Sequence, residues 1–193
     1  MKEKFIDIYR THISREGSEK LLDYLMKSDF FDAPASTKYH LCEAGGLVKH
    51  SVHVYERLLD LCKNEAQKDN GFVLPSDETI AICGLLHDIC KTGFYSISYK
   101  NQKNDKGEWE KVPVYKIEDS LPYGHGEKSV YIISGFMRLT REEAMAIRWH
   151  MGFSDNDFKA GGFSVGNAFE KYPLAVLTHL ADLMATYLDE TEK

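Results

Sequence analysis

Nowhere in the 193 residues does an uninterrupted apolar run approach the ~20 residues needed to cross a bilayer. The opening Met1-Lys2-Glu3-Lys4-Phe5 carries acid and no long apolar stretch, unlike a secretory leader. The expectation is therefore a cytoplasmic location and no membrane partner. Positive charge is also scarce, with 24 Lys and Arg against 30 Asp and Glu, so the net charge of -6 gives no global attraction to a polyanion. Any contact with a nucleotide or nucleic acid must be local. Of the four cysteines, Cys42, Cys62, Cys83 and Cys90, none stands in Cys-x-x-Cys spacing, which argues against a zinc ribbon or a disulfide framework and for reduced, packed thiols. Low-complexity tracts and internal repeats are absent too. With 43% hydrophobic and 28% charged residues, the chain is expected to form one domain over residues 1–193.

Helical patterning dominates what is present. Leu21, Leu22 and Leu25 recur at helical spacing behind Ser18 as a candidate cap. Between residue 46 and about residue 63, Leu47, His50, Val54, Leu58 and Leu61 form one stripe, so His50 is predicted to point inward. Ser76 is predicted to cap a helix whose body, residues 80–89, is apolar on nearly every side and ends in His87-Asp88. Further on, Thr140-Arg141-Glu142-Glu143 has the form of a capping box for a helix ending at His150. Pro173 suits the first turn of a last helix on which Asp182 lies among small residues. The Gly-rich stretch 151–171, with Phe153, Phe158, Phe163 and Phe169, reads as a long connection able to cover a pocket.

One segment breaks the helical pattern. Tyr95, Ile97 and Tyr99 alternate with polar residues, Asn104-Asp105-Lys106-Gly107 supplies a turn, and Val112, Val114 and Tyr115 follow. A β-hairpin insertion at about 94–117 is predicted. Pro113, which cannot donate to a ladder, places its strand at an edge or a bulge. The fold class is thus mainly α, a helical bundle carrying a small β-hairpin.

Chemistry concentrates at His87-Asp88, with His50, His125, His150 and Asp182 as four further potential metal ligands on separate segments. Imidazole nitrogen with carboxylate oxygen suits borderline divalent metals, and one shared carboxylate can bridge two ions. The competing reading is a buried hydrogen-bond network without metal. His40, His53 and His179 lie near the motifs and are expected to support the ligands from behind or to pack, rather than to ligate. Cys90 is expected to pack.

The motifs Gly45-Gly46-Leu47-Val48-Lys49-His50-Ser51, Leu85-Leu86-His87-Asp88-Ile89-Cys90-Lys91, Gly124-His125-Gly126-Glu127-Lys128-Ser129, Trp149-His150 and Ala181-Asp182 resemble, in this order, those of the HD-domain superfamily of metal-dependent phosphohydrolases. The resemblance covers most of the chain and implies the HD-domain bundle. It further implies that His50, His87, Asp88 and Asp182 hold one divalent metal and that Asp88 bridges to a second completed by His125 and His150. Mn, Fe, Zn, Ni, Co and Mg are not distinguished. Lys91 corresponds to a lysine that faces the substrate phosphate in many relatives, with Arg148, Lys128 and Lys49 as weaker candidates; Cys90 stands where glycine is frequent. The implied activity is hydrolysis of a phosphomonoester or phosphodiester, a nucleotide or related small phosphate ester, by metal-activated water, with Asp88 and Lys91 as catalytic residues. Tyr95, Tyr99, Tyr115 and Tyr123 are available to line a pocket or to pack the hairpin. Short single-stranded nucleic acid stays in view as a substrate, because the stretch from His40 to His50 is similar to that of HD-type exoribonucleases. The same six ligands also resemble a di-iron oxygenase centre of the HD type. A non-catalytic metal- or nucleotide-binding module is the third alternative.

Overall fold

Every residue from Ile80 to Leu86 is buried, as a helix apolar on all sides requires. In the computed structural model, which describes residues 1–155 and 162–191, this helix is α4 (Asp77–Leu86), and the other elements surround it. Before it come α1 (Lys2–His12), α2 (Ser18–Lys27) and α3 (Gly46–Glu65). After it come a 3-10 turn (Ile89–Lys91), strands β1 (Tyr95–Lys103) and β2 (Trp109–Ile117), and helices α5 (Gly126–Ser134), α6 (Arg141–Arg148), α7 (Ser164–Lys171) and α8 (Pro173–Met184). The fold is mainly α with a two-stranded insertion. Helix α3 packs along both α4 and α8, and α6 closes on α8 and α5. Phe5 and Tyr9 of α1, the leucines of α2 and Leu47, Val54 and Leu58 of α3 join α4 in one hydrophobic cluster.

Local signals explain most boundaries. Ser76 Oγ accepts from the Thr79 amide at 3.1 Å, and Thr140 with Glu143 forms the reciprocal capping box that starts α6. Pro173 occupies the first turn of α8. The hairpin pairs Tyr95 with Ile117 through Lys103 with Trp109, and Asn104 turns the chain with its side chain accepting from the Lys106 and Glu108 amides, each at 3.0 Å. In a two-stranded sheet each strand is an edge, so Pro113 opposite Tyr99 costs no second ladder.

Two expectations are corrected. Gly17, not Ser18, holds the cap position of α2, and no side chain caps that helix; Ser18 is already helical, and its carbonyl accepts from Tyr9 Oη at 2.8 Å. The stretch read as a long connection contains α7, whose Val165 and Ala168 bury against Trp149. Small and glycine-interrupted residues hid that helix from a periodicity argument. Phe158 lies outside the described residues.

A polar bolt ties the helices that carry the site. Glu143, fully buried on α6, accepts from Arg15 at 2.8 Å through both oxygens and from Thr79 Oγ1 of α4 at 2.9 Å, while Arg15 also reaches Glu78 at 3.2 Å. Burial opposes ionisation of Glu143, but the Arg15, Thr140 and Thr79 hydrogen bonds outweigh it and hold its carboxyl below the ordinary value. A depressed carboxyl pKa stabilises the fold above the unfolded value, about 4.3, and that contribution is lost as pH falls through the folded value. Glu143→Gln should therefore cost about 3 kcal/mol of unfolding free energy at neutral pH. In urea denaturation the deficit should shrink in acid; an equal deficit at both pH values would remove the ion pair as its source.

Candidate metal centre

Five segments converge at the carboxyl end of α4. His50 comes from the inward stripe of α3, His87 and Asp88 from the end of α4, His125 from the residue before α5, His150 from just beyond α6, and Asp182 from α8. Two glycines permit the approach. A Cβ on Gly84 would stand 2.5 Å from the Tyr55 Cα, so only glycine lets α4 lie this close to α3. A Cβ on Gly126 would stand 2.1 Å from the Arg148 carbonyl oxygen, and the contact it permits brings His125 beside His150.

The two oxygens of Asp88 face different partners. Oδ1 lies 2.9 Å from His125 Nε2 and 3.4 Å from His150 Nε2. Oδ2 lies 3.6 Å from His87 Nε2, 3.7 Å from His50 Nε2 and 2.6 Å from Lys91 Nζ. Asp182 Oδ1 sits 3.2 Å from His50 Nε2. All six sequence-derived ligand candidates, and Lys91, thus meet in one place.

Backbone carbonyls aim the rings. His87 Nδ1 donates to the Gly84 carbonyl at 2.9 Å and His150 Nδ1 to that of Ile147 at 2.7 Å, which turns both Nε2 lone pairs inward. His50 and His87 present Nε2 to each other at 3.2 Å, and His150 Nε2 is buried with no hydrogen-bond partner. Converging nitrogen acceptors flanked by two carboxylates are the environment of a cation, and the donor set fits borderline divalent metals.

The electrostatics are sharply divided. Burial, followed by the neighbouring His150 and His50, pulls His87 down to about 3, so it stays a neutral donor. Burial also opposes charge on His50 and His125, but it is outweighed. Hydrogen bonds to Asp182 and Glu190 lift His50 to about 9, and the Cys90 sulfur with the Asp88 carboxylate lifts His125 to about 10. Against its own desolvation, Asp88 is held well below the carboxylate range by Lys91 and His87.

Glu190 was missed by sequence reasoning. Its side chain is fully buried, accepts from His50 Nδ1 at 3.1 Å and from His53 Nδ1 at 2.9 Å, and stands 3.8 Å from His40 Nε2. A π-helical turn, Ala185–Asp189, follows α8 and resets the helical phase, so no regular periodicity links Glu190 to Asp182. Arg57 fastens this turn to α3 through Asp189, with Nε 2.8 Å from Oδ2. His53 therefore backs His50 through Glu190, and His179 donates from Nδ1 to the His150 carbonyl at 2.6 Å.

The site opens into a cleft of about 1210 Å³ whose lining includes Lys49, Lys91, Tyr95, His125 and Asp182. Of the four tyrosines singled out, only Tyr95 lines it, its hydroxyl donating to the Ala35 carbonyl at 3.2 Å; Tyr99 and Tyr123 are exposed elsewhere. Arg148 is engaged by Glu127 and Asp155, and Lys128 by Asp119 at 2.5 Å.

Asp88→Ala should abolish divalent metal retention, read by elemental mass spectrometry, while circular dichroism keeps its helical signal; full metal content in the variant would contradict the assignment. Because an imidazolium cannot ligate, metal binding must displace protons from His50 and His125. Metal affinity should therefore rise as pH increases through about 9, the His50 value, towards about 10, the His125 value. Calorimetry in buffers of different ionisation heat should detect proton release at pH 7, and a pH-independent affinity would exclude these histidines as ligands.

A family profile described as HD domain matches residues 47–187. No curated protein and no solved structure gave a match. The matched region spans α3 to α8 and contains every residue of the cluster except Glu190 and His40. With its helical architecture and its buried His/Asp cluster, the chain belongs to the HD-domain superfamily of metal-dependent phosphohydrolases.

Proposed function

We propose that this protein hydrolyses a phosphomonoester or phosphodiester, a nucleotide or related small phosphate ester, at a dinuclear divalent-metal centre. The observation that carries the reading is the division of Asp88: Oδ1 faces His125 and His150, and Oδ2 faces His50 and His87. His50, His87, Asp88 and Asp182 would hold one ion, and Asp88, His125 and His150 the other. Such ions would polarise the phosphoryl oxygens and lower the pKa of an attacking water.

The chain's own residues supply the rest. Lys91, which lines the cleft, neutralises Asp88 with one N–H at 2.6 Å and has two further donors for phosphoryl oxygens. Its charge is secure, because Asp88 beside it raises its pKa despite burial. Tyr95, committed to Ala35, forms a fixed aromatic wall, and the cleft is large enough for a nucleotide. A short single strand is a further substrate of the same centre.

The assay is turnover of nucleotides, generic phosphodiesters and short oligonucleotides by manganese-loaded protein, with and without oxygen. Oxygen-independent release of phosphate or nucleotide is expected. Lys91→Ala should retain metal and lower kcat/KM about 100-fold, the range for one lost electrostatic donor. Iron-dependent oxygen uptake without ester cleavage would move the assignment to an oxygenase, and metal binding without either would leave a binding module.

A further inference from the structure

A second cavity, of about 320 Å³, stands beside the main cleft of about 1210 Å³. Lys91, Phe94 and His125 line both. The neighbours of the two rings place the two spaces on different sides of this wall. His125 turns Nε2 to Asp88, 2.9 Å away in the lining of the cleft, and Nδ1 to the sulfur of Cys90, 3.4 Å away in the lining of the second cavity. Phe94 meets the ring of Tyr95, a cleft residue, at a centroid distance of 5.1 Å, and has Nζ of Lys128, from the second cavity, 5.0 Å over its own ring.

The charge in the second cavity is already balanced. Lys128, at 4% exposure, is taken by Asp119 at 2.5 Å, and Lys91 by Asp88 at 2.6 Å. With each lysine facing a carboxylate and Phe94 as an aromatic wall, the space suits an uncharged group rather than a further phosphate. Its volume is at the lower end of those that hold small organic ligands, about 300 Å³. A phosphorus atom held at Lys91 therefore has room for a substituent on each side. A monoester, with one organic substituent, would leave one side unfilled; a diester has two.

We propose that the substrate is a phosphodiester that straddles Lys91, with one organic substituent in the main cleft and the other, an uncharged nucleoside-sized group, in the second cavity behind Phe94 and His125. The oxygen of a water bonds to phosphorus, one ester P–O bond breaks, and the departing oxygen takes up a proton that the water gives up. The products are a phosphomonoester and an alcohol, with no change of oxidation state. This inference rests on the hydrolase reading above, and its test separates the two.

The manganese-loaded 193-residue chain is assayed on two matched pairs: bis(p-nitrophenyl) phosphate against p-nitrophenyl phosphate, and a dinucleoside monophosphate against a nucleoside monophosphate. In each pair kcat/KM for the diester should exceed that for the monoester by at least about tenfold, within the range that filling a pocket supplies. Pro122 is an exposed residue of the second cavity, so Pro122→Trp narrows that space and should lower the diester-to-monoester ratio about tenfold. Tyr123→Trp, which adds bulk at an exposed position outside the lining of either cavity, should leave the ratio unchanged. Circular dichroism and metal content report on folding, and Pro122→Phe repeats the measurement should the larger ring disturb it. Monoester turnover equal to or above diester turnover, or a ratio unmoved in both Pro122 variants, overturns the two-sided site and leaves the hydrolase standing. Cleavage of none of the four esters removes the hydrolase reading and this inference with it.

Discussion

An ionised carboxylate at 2% exposure is the constraint on which the remaining structure turns. Asp88 cannot carry charge in that setting without compensation, because an unpaired buried ion is far more costly than a paired one. Lys91 and His125 meet it directly, and His50, His87 and His150 stand at distances that an ion could bridge. The bundle is arranged to deliver those groups. Helix α4 ends at Leu86 with His87 as its cap, so Asp88 falls in the break before the 3-10 turn and meets His125 and His150 beside α5 and α6.

Precision comes from groups behind the donors. Backbone carbonyls of Gly84, Ile147 and His150 fix three imidazoles, and Glu190 does the same for His50 and His53. Such outer partners set the tautomer and raise ligand basicity. Further out, Arg15 and Glu143 hold α4 against α6, which fixes the distance between the His87-Asp88 pair and His150. The hairpin stands apart from this framework and meets the site mainly through Tyr95 and Ile117 at its base.

Much of this was legible in the sequence because it is written in short-range patterns. The stripe from Leu47 to Leu58 placed His50 inward, the unbroken apolar body of α4 announced a central helix, and the capping residues Ser76 and Thr140 marked their starts. The hairpin was legible from alternation and its Asn-to-Gly turn. What stayed hidden depends on long-range contact or broken phase. Gly84 and Gly126 matter through Tyr55 and Arg148, distant in sequence, and Glu190 is reached through a π-helical turn. Helix α7 has too few apolar residues to declare itself.

The central claim is that Asp88 is shared between two ions, one on each carboxylate oxygen. Anomalous diffraction from crystals of manganese- or zinc-loaded protein tests it most directly. The account predicts two peaks bridged by Asp88, one among His50, His87 and Asp182 and the other beside His125 and His150. A single peak displaced to His40, His50 and Glu190, a further cluster among the described residues able to cradle a cation, would contradict it, as would a loaded crystal with no peak at Asp88.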